Sequence, residues 1–244
     1  MRISVIVPAF DEEKLLGDTL RRIKLAQPAF SRRGWDVELI VCDNNSKDHT
    51  PDIARAEGAT VVFEPVNQIA RARNRGAEAA AGDWLVFVDA DSHPSPELFE
   101  DVAEQIGSGR CLAGGATVRL DGDRAPTRSA SIVTGLWNGI SRSLHWLAGS
   151  FIFCESRAFR AIGGFDNELF ASEEIDLSRR LKKLARAEGK AVVILHRHPI
   201  LTSPRKLHLY KGRELLGIVA RIVFSRGKAL KDRNACFSWY DGRR

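Results

Sequence analysis

The stretch Gly82-Asp83-Trp84-Leu85-Val86-Phe87-Val88-Asp89-Ala90-Asp91-Ser92-His93-Pro94 decides how this chain is read. Five consecutive apolar residues, introduced by Gly-Asp and closed by two acids and Ser-His-Pro, have the length and flanks of a strand buried in a parallel sheet. Ligands of open α/β sheets bind beyond the carboxyl ends of such strands, so the run delivers Asp89 and Asp91 to the expected site. On an extended chain, residues two apart point the same way. The pair is therefore expected to meet on one hard divalent cation, or to divide between a cation and a sugar hydroxyl. Such a cation would hold a diphosphate.

Upstream of this run, strand and helix patterns alternate. Residues 3–7 read as a strand, and a helical stretch follows from Asp11 with Leu15, Leu16, Leu20 and Ile23 near helical spacing. Residues 37–41 form a second strand, Thr50 and Pro51 an N-cap and first turn, and Gly58 a helix stop. A strand over 61–63 and a helix over 69–81 complete the repeat. The pattern predicts an α/β fold with a doubly wound, mainly parallel central sheet flanked by helices.

Downstream the pattern loosens. A helix is expected near 97–106, a strand near 112–118 and an irregular stretch over 121–128. Residues 131–146 are rich in Trp, Leu and Ile but interrupted by Asn138, Arg142 and His145, which suits either a pocket lining or a packed helix. Ser172 is placed to cap a helix with Leu177, Leu181 and Leu184 on one apolar face, and a strand follows over 192–195.

The 244 residues, 44% hydrophobic, suffice for a sizeable core. The four cysteines, Cys42, Cys111, Cys154 and Cys236, lack metal-ribbon spacing and suit a reducing compartment. Met1-Arg2 lead directly into the first strand pattern with no signal-peptide core, and no stretch reads as a membrane span. The expected location is cytoplasmic. The net charge of +6 belongs to residues 207–244, which hold 9 Lys/Arg against 3 Asp/Glu.

Three polar strand tips should share one sheet edge: Pro8-Ala9-Phe10-Asp11-Glu12-Glu13, Cys42-Asp43-Asn44-Asn45-Ser46-Lys47-Asp48, and Asp89-Ala90-Asp91. Asn44, Asn45 and Asp48 suit an Asx-rich turn, which leaves Asp43 as the functional candidate of its tip. Arg71, Arg73 and Arg75 open the helix after the third strand, and their alternate spacing sends them to different faces. No Gly-x-Gly-x-x-Gly follows a strand and no phosphate-binding P-loop is present.

Taken in order, several segments resemble family 2 glycosyltransferases of the GT-A nucleotide-sugar fold. They are Val5-Ile6-Val7-Pro8-Ala9-Phe10-Asp11-Glu12-Glu13, Asp43-Asn44-Asn45-Ser46 through Thr50, and Ala72-Arg73-Asn74-Arg75-Gly76 running into Ala81-Gly82-Asp83. Phe87-Val88-Asp89-Ala90-Asp91, Gly163-Gly164-Phe165-Asp166 and Glu173-Glu174-Ile175-Asp176-Leu177 complete the series. The resemblance covers residues 1–206, with 1–120 as the nucleotide-sugar donor half, 121–206 as the acceptor and catalytic half, and 207–244 as a basic helical tail.

The resemblance implies a donor pocket in which Pro8, Ala9, Phe10 and Glu12 contact the nucleoside, Asp43 bonds the base edge, and Arg73 lies near the base or diphosphate. Asp89, Ala90 and Asp91 would serve the ribose and a Mn²⁺ or Mg²⁺ ion, with His196, or less readily His198, completing the metal. In such enzymes the second acid of a Glu-Asp pair is the base. That position here is Glu174, a departure from Asp, with Glu173 and Asp176 in the same catalytic group. The first-turn position should favour its ionised form. The donor would be a UDP- or GDP-linked sugar, the transfer inverting, and the acceptor a hydroxyl, lipid-linked in one version.

In the tail, Leu215, Ile218, Val219, Ile222 and Val223 make an apolar stripe opposite Arg213, Arg221 and Lys228. It suits docking on the catalytic domain or a peripheral contact with the cytoplasmic face of a membrane. Thr202-Ser203-Pro204-Arg205-Lys206 suit either a diphosphate clamp or an exposed basic turn. Three alternatives compete: a non-catalytic nucleotide-sugar-binding or scaffold protein, a sugar-phosphate nucleotidyltransferase, and a nucleic-acid role for Phe237, Trp239, Tyr240, Arg243 and Arg244. The nucleotidyltransferase lacks its Gly-rich first loop here, and nothing in residues 1–206 supports nucleic acid.

Overall fold

The computed structural model describes residues 1–121, 128–203, 228–232 and 236. The tail's apolar stripe, its Arg213 and Arg221, and residues 204–206 lie outside them. Lys228, expected on a helix face, opens a short 3-10 turn over Lys228–Lys231. That turn meets residues 168–170, where Phe170 N donates to Leu230 O at 2.7 Å and Lys231 pairs with Glu168.

The elements in chain order are β1 (Arg2–Ala9), α1 (Leu16–Ala26), α2 (Pro28–Ser31), β2 (Asp36–Asp43), α3 (Thr50–Ala56), β3 (Thr60–Phe63), α4 (Ile69–Ala79), β4 (Trp84–Val88) and β5 (Ser92–His93). Then come α5 (Pro96–Gly107), β6 (Cys111–Leu120), α6 (Arg128–Leu144), β7 (Phe151–Glu155), α7 (Ser156–Ala161), α8 (Glu173–Ala187) and β8 (Ala191–Thr202). The strands form one mainly parallel sheet in the order β3-β2-β1-β4-β7-β6-β8-β5. β7 departs from the parallel pattern, running antiparallel between β4 and β6. Its apolar run Phe151-Ile152-Phe153-Cys154 gives no sign of this in the sequence, because a short buried run does not declare its direction.

β4 is buried on both faces, and its side chains alternate between two cores. Trp84, Val86 and Val88 join the layer of α1, α3 and α5, while Leu85 and Phe87 join that of α4, α7 and α8. This parity sends the next residue, Asp89, towards α4 and α8, and returns Ala90 to the α1 side. α1 buries Leu16, Leu20 and Ile23 at i, i+4 and i+7. α5 starts where Ser95 Oγ accepts from Leu98 N at 3.2 Å with Pro96 in the first turn.

Two cap assignments change. Thr50 does not cap α3; it is the first helical residue, and its hydroxyl accepts from Glu12 N at 2.7 Å. Ser172 holds the N-cap position of α8 with φ 62, but its side chain makes no cap bond. Among the described residues, no helix is long and apolar enough to cross a membrane.

α4 meets β1 through a glycine. A Cβ on Gly76 would lie 2.4 Å from Ile6 Cγ2, so only glycine allows this approach. Gly76→Ala should destabilise the protein by about 1–3 kcal/mol, read by urea unfolding, since overpacking a fitted core forces backbone shifts. An unchanged midpoint would mean that α4 moves away without penalty.

Candidate active site

The tips of β1 and β2 are laced together. Asp11 N donates to Ser46 Oγ at 3.1 Å, Lys47 N to Asp11 Oδ1 at 2.7 Å, and Glu13 N to Asp48 Oδ2 at 3.0 Å. Asp11 and Asn45 both take left-handed backbone, φ 50 and 68, which short polar side chains tolerate. Asp43 pairs in register with Ala9 and is buried, its Oδ1 accepting from Ser46 N at 3.0 Å. Asn44 amide groups hold the loop after β3, donating to Val66 O at 2.6 Å and accepting from Gln68 N at 2.9 Å. Pro8, Ala9, Glu12 and Asp43 are buried and Phe10 half-buried at this shared edge.

Asp89-Ala90-Asp91 is a turn, not an extension of β4. Ser92 N donates to Asp89 O at 3.0 Å, and the extended geometry expected to align the two carboxylates is absent. Asp89 Oδ1 accepts from Arg73 Nη2 at 2.8 Å. Asp91 is 8% exposed, and its carbonyl accepts from Ser203 N at 3.0 Å.

Arg73 is the centre of the site. Its side chain is 2% exposed, and Nη1 donates to Glu173 Oε1 at 2.7 Å while Nη2 also reaches Gly149 O at 2.9 Å. The guanidinium carbon lies 5.2 Å from the Phe165 ring centroid, a cation–π contact. Burial by itself would lower the Arg73 pKa, but Asp89, Glu173 and Glu174 together hold it above its ordinary value. Arg73, expected near the base or diphosphate, has its guanidinium taken up by Asp89, Glu173 and Gly149 O, and it locks the end of β4 to the first turn of α8. Arg75 is exposed and pairs with Glu78, and Arg71 bonds Gln68 Oε1 at 3.0 Å.

The neighbouring residue explains the rest of the Arg73-Asn74-Arg75-Gly76 segment. Asn74 Nδ2 donates to Phe165 O and its Oδ1 accepts from Phe165 N, each at 2.9 Å. This seats the Gly163-Gly164-Phe165 turn, whose glycines have φ 80 and 68, and sets the Phe165 ring against Arg73.

Glu173 is buried and Glu174 half-buried at the start of α8. Burial, then the Glu173 charge, push the Glu174 carboxyl up to about 8, with Asp89 adding to the rise. Its first-turn backbone bond and Arg73 act the other way but are outweighed, so the expected preference for the ionised form is reversed. Asp176 turns away from the cluster. It pairs with Arg180 at 2.6 Å, and Arg180 Nη1 donates to Ile162 O and Gly164 O, each at 2.7 Å. Its work is to anchor the glycine turn.

His196 is not brought to the acids either. Ala116 pairs with Leu195 and Val118 with Ile200, so residues 196–199 bulge out of β8 and His196 is exposed. The bulge starts four β6 residues, about 13 Å, before Thr202, which pairs beside Ser92. His198 Nδ1 instead meets Asp101 Oδ2 of α5 at 3.0 Å. Among the described residues, no group of three His, Cys, Asp or Glu side chains forms a metal cage. Asp89 and Asp91 supply hard carboxylate oxygens, the donor type that Mg²⁺ and Mn²⁺ take.

Sequence reasoning missed Gly149 O and the job of Phe165. The only signal for them is the Gly-Gly-Phe turn itself, which shows a special backbone but not what it touches.

A curled, mainly parallel sheet flanked by helices matches the GT-A glycosyltransferase fold. The chain belongs to glycosyl transferase family 2, whose family model matches residues 4–162. It is 31% identical over 124 residues, 48% of the chain and 33% of the relative, to the dolichol-phosphate mannosyltransferase of Pyrococcus furiosus. It is 28% identical over 166 residues, 65% of the chain and 46% of the relative, to an undecaprenyl-phosphate 4-deoxy-4-formamido-L-arabinose transferase of Pseudomonas fluorescens. The chain thus spans less than half the length of these two relatives. Its fold matches the mannosyltransferase PcManGT of Pyrobaculum calidifontis, solved with GDP-Man and Mn²⁺, with TM-score 0.67 at 19% identity, covering 96% of this chain and 64% of that one. S. aureus TarS with UDP-GlcNAc matches with TM-score 0.63 at 19% identity, covering 96% and 67%.

Proposed function

We propose that this chain transfers a sugar from a UDP- or GDP-linked donor, with inversion, to a hydroxyl of a lipid-linked or membrane-proximal acceptor. The observation that carries this reading is the tie, through Arg73, between Asp89 at the end of β4 and the first turn of α8, where Glu174 stands. Glu174 takes the proton of the acceptor hydroxyl, the acceptor oxygen bonds to the anomeric carbon, and the bond to the diphosphate breaks with its electron pair on the diphosphate. A carboxyl raised to about 8 is a stronger base once ionised than an ordinary carboxylate, which suits a hydroxyl. A phosphate acceptor would arrive ionised and would need no base. The lipid phosphates in the names of the curated relatives support a membrane-proximal acceptor.

Pro8, Ala9, Phe10, Glu12 and Asp43 would hold the nucleoside at the β1–β2 edge. Asp91, with Asp89, would hold a Mn²⁺ or Mg²⁺ ion arriving with the diphosphate, and that ion would supply charge neutralisation for the leaving group.

Calorimetry with a panel of nucleotide sugars tests the donor site. One donor should bind only with metal present, and Asp91→Asn should weaken it about 100-fold or more, since even outer partners of metal ligands are worth about 10–100-fold. Equal binding in chelator and in the variant would remove the metal from this reading.

A further inference from the structure

α8 carries a second stripe on its outer side. Arg179, Lys182, Lys183 and Arg186 recur at i, i+3, i+4 and i+7, which gathers four cations on one face. Lys182 is half-buried and the other three are exposed. Basic residues nearby are neutralised: Arg157 by Glu155 and Glu188, Arg180 by Asp176, and Lys190 by Glu155. Among the described residues, no carboxylate pairs with any of the four. Burial, then the charges of Arg186 and Arg179, lower the Lys182 pKa, as expected where cations are crowded without counter-charge.

Leu144 and Trp146 lie beside this stripe. Lys182 Nζ donates to Leu144 O at 2.7 Å, and Arg179 lies 5.9 Å from the Trp146 ring centroid. On α6, Leu144 is 46% exposed and Leu136, two turns earlier, 65% exposed. We infer that this face of α6 and α8 docks on an anionic lipid surface, its leucines entering the headgroup boundary while the cations meet lipid phosphates. Cations beside exposed aliphatic side chains and a Trp suit that interface, whereas a nucleic-acid backbone offers the leucines nothing to bury against.

The placement also connects to the site. Arg179 lies five residues after Glu174, about 7.5 Å along the helix axis. Leu147 N donates to Ser178 Oγ at 2.9 Å and Gly149 O accepts from Arg73, so the chain between Leu144 and Gly149 links the patch to the active cluster. A lipid-linked acceptor would then be met at the headgroup layer. That consequence rests on the proposed acceptor; binding to the surface does not.

Sedimentation of the full chain with phosphatidylcholine vesicles, with and without phosphatidylglycerol, tests the inference. The chain should bind vesicles containing phosphatidylglycerol, less so as salt rises. Lys183→Gln with Arg186→Gln should lower the partition coefficient about 25-fold, about fivefold for each charge removed near an anionic surface. Leu136→Asn should weaken binding at every salt concentration. Thermal unfolding of these variants should stay close to the parent's, because the three side chains are exposed and none is described in a hydrogen bond or ion pair. The inference is overturned if the chain ignores anionic vesicles, or if it binds heparin but not vesicles. It is also overturned if all the variants bind as the parent does, which would make residues 207–244 the anchor. Loss of transfer activity in the parent would count against the proposed function and leave these binding results untouched.

Discussion

Glu174→Gln should cut the transfer rate by orders of magnitude and at the same time raise the melting temperature, by a margin that widens as pH rises from about 5 to about 8. Both effects follow from the same burial. The Glu174 carboxyl is held at about 8 in the folded protein against an ordinary value of 4.5, so folding favours its protonated form. The stability linked to that proton is full below about 4.5, erodes as pH rises and is lost through about 8. Glutamine has no proton to release and keeps its stability across the window. As a base, however, Glu174 acts only when ionised, so kcat/KM of the parent should climb towards about pH 8 and then level. Loss of the carboxylate should reduce kcat by about 10²–10⁴-fold, the usual worth of a general base. Thermal unfolding and transfer rates on one pH series separate the two effects. Full activity in the variant, or a rate flat across that range, would remove Glu174 from the chemistry.

Arg73→Ala should destabilise the fold by about 3–5 kcal/mol, the cost of leaving a buried ionic partner uncompensated. Asp89, Glu173 and Glu174 would then face one another without the guanidinium, and the carbonyl of Gly149 would lose its donor. Arg73→Lys should recover only part of this. One ammonium on a flexible stem does not reproduce a planar fork that reaches Asp89, Glu173 and Gly149 together while lying over Phe165. Glu173→Ala on the Arg73→Ala background should restore stability relative to Arg73→Ala alone, because it removes one stranded carboxylate, and it should not restore transfer. Urea unfolding of the single and double variants measures the coupling. Additive losses would show that Arg73 and Glu173 do not act as a pair.

Much of the architecture was legible in local pattern. The run Trp84–Val88 is a strand at those residues, and the helices and strands expected over the first half occur within a few residues of their forecast bounds. Apolar periodicity is a local property, and burial on both faces of β4 enforces it. The strand-end acids were legible for the same reason, since a polar residue after a buried run must lie at its tip. The turn at Asp89-Ala90-Asp91 was not, because the alternation that governs a strand stops where the strand stops.

What the sequence by itself determined, then, is the repeat of strands and helices, the shared edge of polar tips, and the resemblance that put Glu174 forward. Only the tertiary structure decided what Arg73 does, that Asp176 serves Arg180, and that His196 stands on a bulge apart from the acids. The reason is distance along the chain. Arg73, Asp89, Gly149 and Glu173 come from four separate segments, and their partnership exists only once α4 and α8 pack on the same face of the sheet, at the end of β4. Spacing within a segment carries no record of that encounter, nor of the burial that drives the Glu174 carboxyl upward.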